Sequence, residues 1–319
     1  MSFRNISVYL PVVILWLVYV ALTFLAPVTA ATAQLGITPV GLAIIRITVA
    51  LPYLLAWIAG GYCVLTLLAS VHALPEKEDR LAFKHIAIGV LVLVGGLALS
   101  SLFGSARSYL IHNADAVRSL TVLTNYVHVL APLLGFAFIF SAGGHLRRAG
   151  TTADLPWGWM ATGVMALMVF VVLYFWLIFT NPNRQVSTEP DVAATYYLSD
   201  PLIVATIVLP FLVATTLGFF SVFRIARYSR GVTGYVNKRS ASFLVNGLLL
   251  VIAGSLLLQA LLSLGSSRLL HLGLGPLLLV IYVFIALQTL GFIFLALGAE
   301  KLSALERVMK KYGARSEIV

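Results

Sequence analysis

No aspartate, glutamate or lysine falls inside any of the long apolar stretches of this chain, and only one arginine, Arg46, does. Coupled pumps commonly place a carboxylate near the middle of the membrane, so the absence argues against a cation-driven pump and leaves an uncoupled or neutral-substrate path open. Without a lysine in a span there is no residue for a rhodopsin-type retinal Schiff base. A single cysteine, Cys63, rules out an intramolecular disulfide and a cysteine-based metal site. No HExxH, GxSxG, P-loop or GxGxxG arrangement is present, which removes the enzyme classes that depend on them. The excess of basic residues has no aromatic-interleaved module beside it, so nucleic acid is not an expected partner.

What the chain does have is apolar length. Of its 319 residues 61% are hydrophobic and only 10% charged, against about 25% charged in a soluble domain. Runs of 18 or more apolar residues recur, each able to cross a bilayer core of about 30 Å as a helix. They are continuous rather than alternating, which excludes a membrane β-barrel. The fold class predicted is an all-α integral membrane protein of about eight transmembrane helices, near residues 8–27, 41–69, 85–104, 120–143, 157–179, 202–223, 243–264 and 276–298. The stretch Ala31-Thr32-Ala33-Gln34 after the first of these has the small residues of a signal-peptide cleavage site. The apolar part before it is longer than a signal h-region, so the first segment is read as a retained helix.

Basic residues set the orientation. With eight spans, 16 of the 21 lysines and arginines fall on one side and 4 on the other. That places both termini in the cytoplasm, in a multi-pass protein of the cell membrane. The tail, residues 300–319, is charged but keeps Leu302, Leu305, Val308 and Met309 at helical spacing, which suits a short helix lying on the cytoplasmic surface.

The chain also repeats itself. At an offset of 158, Thr48, Leu51, Pro52, Leu54, Ala56, Gly60 and Val64 meet identical residues from Thr206 to Val222, and Gly89 and Gly96 meet Gly247 and Gly254 in the same register. Leu134-Gly135-Phe136 recurs as Leu290-Gly291-Phe292. Two four-helix units follow, 1–150 and 151–299. An even number of spans brings each unit back to its starting side, so the expected repeat is parallel, with a pseudo-two-fold axis along the membrane normal. Pro52, Pro132 and Pro210 lie within spans and predict kinks, because proline removes a backbone donor.

Few residues inside the spans could carry chemistry. Arg46, Asn125, His128, Asn246, Gln259 and Gln288 are the candidate intramembrane polar site. Asn125 and His128 are three apart and share a helix face. Arg46 can snorkel to the outer surface or contact an anion, and the amides can serve simply as hydrogen bonds between helices. His72, His85 and His145 all fall at cytoplasmic span ends and could cluster, but none has a haem- or metal-binding motif beside it, so no cofactor and no metal is expected.

Three functions remain. The first is a transporter-like or channel-like protein with a site between the two units. The second is a non-catalytic receptor, scaffold or assembly module, using the acidic loop from Asn181 to Asp200 as its outer surface. A membrane enzyme built on the histidines is the weakest. The expected partners are the lipid bilayer together with a small-molecule substrate or a membrane protein, with a homo-oligomer compatible with either.

Overall fold

A computed structural model describes residues 14, 17–22, 38–71, 74, 77–107, 109–110, 113–148, 209–231, 235–264 and 274–316. The expected spans near 8–27 and 157–179 lie wholly or mostly outside these residues, as does the loop from Asn181 to Asp200. Among the described residues the regular structure is all helical: α1 (Pro39–Val71), α2 (Lys77–Arg107), α3 (Ala114–Arg148), α4 (Leu209–Gly231), α5 (Tyr235–Leu264) and α6 (Leu274–Ser316).

Local chemistry starts these helices. Pro39 occupies the first position of α1, where its missing N–H costs nothing, and the Thr38 hydroxyl accepts from the Gly41 amide at 3.1 Å. Asn113 does the same for α3, its Oδ1 accepting from the Ala116 amide at 3.1 Å. Glu78 and Asp79 sit in the first turn of α2, where the helix dipole favours negative charge. Asn113→Ala is expected to lower stability by about 1 kcal/mol and Asn113→Asp to leave it nearly unchanged, read as the denaturation midpoint of the purified protein.

Among the described residues, three helices are long and apolar enough to cross a membrane: Arg46–Val71, Lys77–Ala106 and Leu278–Lys301. Shorter apolar stretches run over Leu130–His145 and Arg239–Ser255. Large apolar side chains also line the outward faces at helical spacing, as with Leu130, Leu134 and Phe138 on α3. In water such a surface would be an aggregation site; against lipid it is what a membrane protein requires.

The helices run further than the apolar pattern suggests. Residues 224–231 and 235–240, expected as a loop, are the end of α4 and the start of α5. Residues 77–84 begin α2. The tail, expected as a separate surface helix, is the continuation of α6, a single helix of 43 residues. Lysine, arginine, glutamate and leucine are good helix formers, so leaving the apolar zone gives these segments no reason to stop.

Packing is sequential and closes on itself. Each of α1 to α6 lies against the next, and α6 returns to α1. The closest pairs are α2 with α3 and α5 with α6. In each, two glycines let backbones meet. A Cβ on Gly89 would lie 2.6 Å from the Gly135 carbonyl oxygen, and one on Gly247 would lie 2.8 Å from the Gly291 carbonyl oxygen. The largest core cluster joins side chains of all six helices, including Leu67, Phe83, Phe136, Ile225, Leu248 and Phe292. A second gathers Tyr19, Trp57 and Phe284. Tyr19 packs against Trp57 with ring centres 5.6 Å apart and planes tilted by 53°, and the Tyr109 hydroxyl donates to the Leu22 carbonyl, so the helical segment 17–22 is fixed to the bundle at two points.

Candidate functional site

Pro132 is the residue around which the central site forms. It lies inside α3, which continues through it. Having no N–H, it supplies no α-helical donor to the carbonyl four residues earlier, that of His128. His128 and Pro132 are one turn apart on the same face, and both line the same space. The Nδ1 atom of His128 is buried and has no hydrogen-bond partner.

Across from them, α5 and α6 are joined by side-chain hydrogen bonds. The Gln288 amide donates to the Val251 carbonyl and to Ser255 Oγ, both at 3.1 Å. The Ser255 hydroxyl donates to the Val251 carbonyl at 3.0 Å. Gly254 makes room for this arrangement, since a Cβ there would lie 3.0 Å from Gln288 Nε2.

A cavity of about 30 Å³ lies between these groups. His128 of α3, Ser255 of α5 and Gln288 of α6 form its polar wall, while Leu93 and Leu97 of α2, Pro132 of α3 and Phe284 of α6 are apolar lining. Among the described residues no charged side chain lines it. One ordered water needs about 10–15 Å³ of such space, so the cavity takes about two.

Of the residues expected from sequence, His128 and Gln288 meet at this cavity, together with Pro132. Arg46 is half-buried on α1, and Pro52 lies within the same helix; neither lines the cavity. Asn246 faces outward from α5, its amide 3.5 Å from Ser242 Oγ. Pro210 is the second described residue of α4. The side chains of Asn125 and Gln259 lie outside the described residues. Ser255 was not singled out by its sequence. The signal that could have found it is a break in the echo: Ser255 stands where Leu97 does at the offset of 158, while Phe284 and Gln288 stand opposite His128 and Pro132 at 156.

A second polar group forms at the basic end of α2 and α3. His145 Nδ1 and Glu78 Oε2 are 2.7 Å apart. The ring of His85 is centred 5.1 Å from that of His145, and its Nδ1 lies 3.3 Å from Ser141 Oγ. His72 is outside the described residues. Among the described residues no three histidine, cysteine, aspartate or glutamate side chains are grouped to hold a metal ion. Arg224 lies close by on α4, its guanidinium 3.7 Å from the centre of the Phe140 ring and its Nη1 donating to the Phe140 carbonyl at 3.2 Å.

Comparison of the chain with protein-family models, with curated proteins and with solved structures finds no match.

Proposed function

We propose that the chain is a multi-pass membrane protein of eight helices in two like four-helix units, with a transporter-like or channel-like function and its site between the units. The observation that carries this reading is the central cavity. It draws a histidine from the first unit, and a serine and an amide from the second, to one uncharged pocket. Substrate sites of repeat-built transporters lie at the repeat interface near mid-membrane, beside interrupted helices.

Paired contacts support the two units. Gly60 meets Val94 as Gly218 meets Ile252, and Gly89 meets Gly135 and Ile139 as Gly247 meets Gly291 and Leu295. Within each pair the positions are separated by 158 or 156 residues. The seams between units are paired as well: α3 lies against α4, and α6 against α1. At one end of the bundle Gly143 meets Arg224, and Ser70 donates to the Ala299 carbonyl at 3.2 Å. The basic helix ends gather at that end, which favours the cytoplasm for it and for both termini.

Thiol accessibility tests the proposal. Cys63 is fully buried, and Cys63→Ala gives a cysteine-free background. Single cysteines then replace His128 and Gln288, with the exposed Asn113 as a labelled control and the lipid-facing Leu134 as a protected one. Cysteine is smaller than histidine or glutamine, so each replacement enlarges the cavity, and labelling of positions 128 and 288 in intact membranes by a small neutral, water-soluble thiol reagent is the expected result. Protection of both would remove the transport reading and leave the receptor, scaffold or assembly module.

A further inference from the structure

We infer that the central cavity is a hydrated site for a very small neutral hydrogen-bond donor, of the class of water and ammonia. Three observations meet on this class. The first is size: about 30 Å³ is room for about two waters, which suits the smallest hydrogen-bonding molecules. The second is that, among the described residues, no charged side chain lines the cavity. An ion entering would lose its hydration with no opposite charge to replace it.

The third observation is the hydrogen-bond inventory, which is short of donors. Both hydrogens of the Gln288 amide are used, on Val251 and Ser255, and the Ser255 hydrogen is used on Val251. The Gln288 carbonyl oxygen remains as an acceptor, and the Ser255 oxygen keeps a lone pair. Proline at 132 removes the helical donor of the His128 carbonyl. His128 Nδ1 is buried without a partner, and in the tautomer protonated at Nε2 it too accepts. An unmet acceptor inside a membrane protein is costly, and a bound O–H or N–H donor removes that cost at several of these atoms together. The apolar wall of Leu93, Leu97 and Phe284 makes no polar demand, so a molecule held on one side only can leave.

Occupancy stands on the cavity itself. That the cavity also passes such molecules across the membrane rests on the transport reading above. Two measurements on the full-length protein separate these claims. In lipid nanodiscs with ¹⁵N-labelled histidine, His128 is identified as the signal lost in His128→Phe, a change that copies Phe284. The expected result is a neutral ring with Nδ1 accepting a hydrogen bond and magnetisation transfer from water. A ring with no contact to water overturns the inference, whatever is transported. In liposomes, stopped-flow shrinkage reports water, and alkalinisation of the lumen after an ammonia gradient reports ammonia. Either flux should exceed that of protein-free vesicles and fall about tenfold in His128→Phe, which fills the cavity and removes an acceptor. Water contact without either flux keeps the site and overturns transport. Leu97→Ser copies Ser255 onto the apolar wall and covers the case in which His128→Phe fails to fold. It should strengthen the water transfer to His128, and unchanged transfer overturns the placement of the site.

Discussion

Gly89→Ala and Gly247→Ala are each expected to cost about 1–3 kcal/mol of stability, the range for overpacking a filled interior. The reason is that the obstructing atoms are main chain. A methyl at 89 would meet the Gly135 carbonyl oxygen at 2.6 Å, and one at 247 would meet the Gly291 carbonyl oxygen at 2.8 Å and the Leu295 amide nitrogen at the same distance. A flexible side chain could turn aside, but a carbonyl in a helix cannot move without taking the helix with it. The pairs α2–α3 and α5–α6 would each have to separate. Lipid offers no hydrophobic force to push them together again, because tails solvate the separated faces as well as leucine does. Gly95 is the internal control: it lies in the same helix with nothing within 4 Å of a new Cβ. Gly95→Ala should be neutral or stabilising by up to about 1 kcal/mol, since alanine loses less backbone entropy. Unfolding in mixed detergent micelles gives the three values. Equal values at 89 and 95 would mean that the close backbone approach contributes nothing to stability.

Gly89 and Gly247 were visible in the sequence as members of an echo, and so were Pro52 and Pro210, whereas Pro132 has no proline counterpart. What the echo could not supply was direction. A helix that is apolar all round has no amphipathic face to say which side is buried, and the outward faces here are as apolar as the inward ones. Asn246 and Gln288 therefore looked equivalent from sequence, yet one faces outward and the other joins α5 to α6. Taken alone, Ser255 carries no signal in the sequence, since a serine in a helix commonly donates to its own backbone one turn back, as this one does. Its second role, accepting from Gln288, depends on a partner 33 residues away. His145 and Glu78 were likewise unlinked until α2 and α3 ran antiparallel beside each other. Helix ends were misjudged where charge was read as loop. At Arg224 that reading hid an inter-helix contact altogether.

Arg224→Ala is expected to be the most damaging single change at the basic end of the bundle, costing about 2 kcal/mol. The side chain acts in three ways on one short stretch of α3. Its guanidinium lies over the Phe140 ring, its Nη1 donates to the Phe140 carbonyl, and its stem fills the space that a side chain on Gly143 would occupy. A charged hydrogen bond contributes about 1.5–3 kcal/mol and a partly desolvated cation–π contact about 0.5–2; the two share one residue, so they do not add. Arg224→Lys should recover less than half of the loss, because an ammonium is a compact charge without the flat face that stacks. A double-mutant cycle with Phe140→Leu isolates the ring contact, with an expected coupling of about 1 kcal/mol. Zero coupling would leave only the carbonyl bond and the stem. The contact joins α3 to α4, the seam between the two proposed units; on the other seam Ser70 donates to the Ala299 carbonyl and Trp57 clusters with Phe284. If the units move against each other about the central cavity, Arg224→Ala should raise the labelling rate of a cysteine at position 128, while Ser70→Ala should change it less. An unchanged rate with the expected loss of stability would make Arg224 a clamp on the fold and not a part of any opening of the cavity.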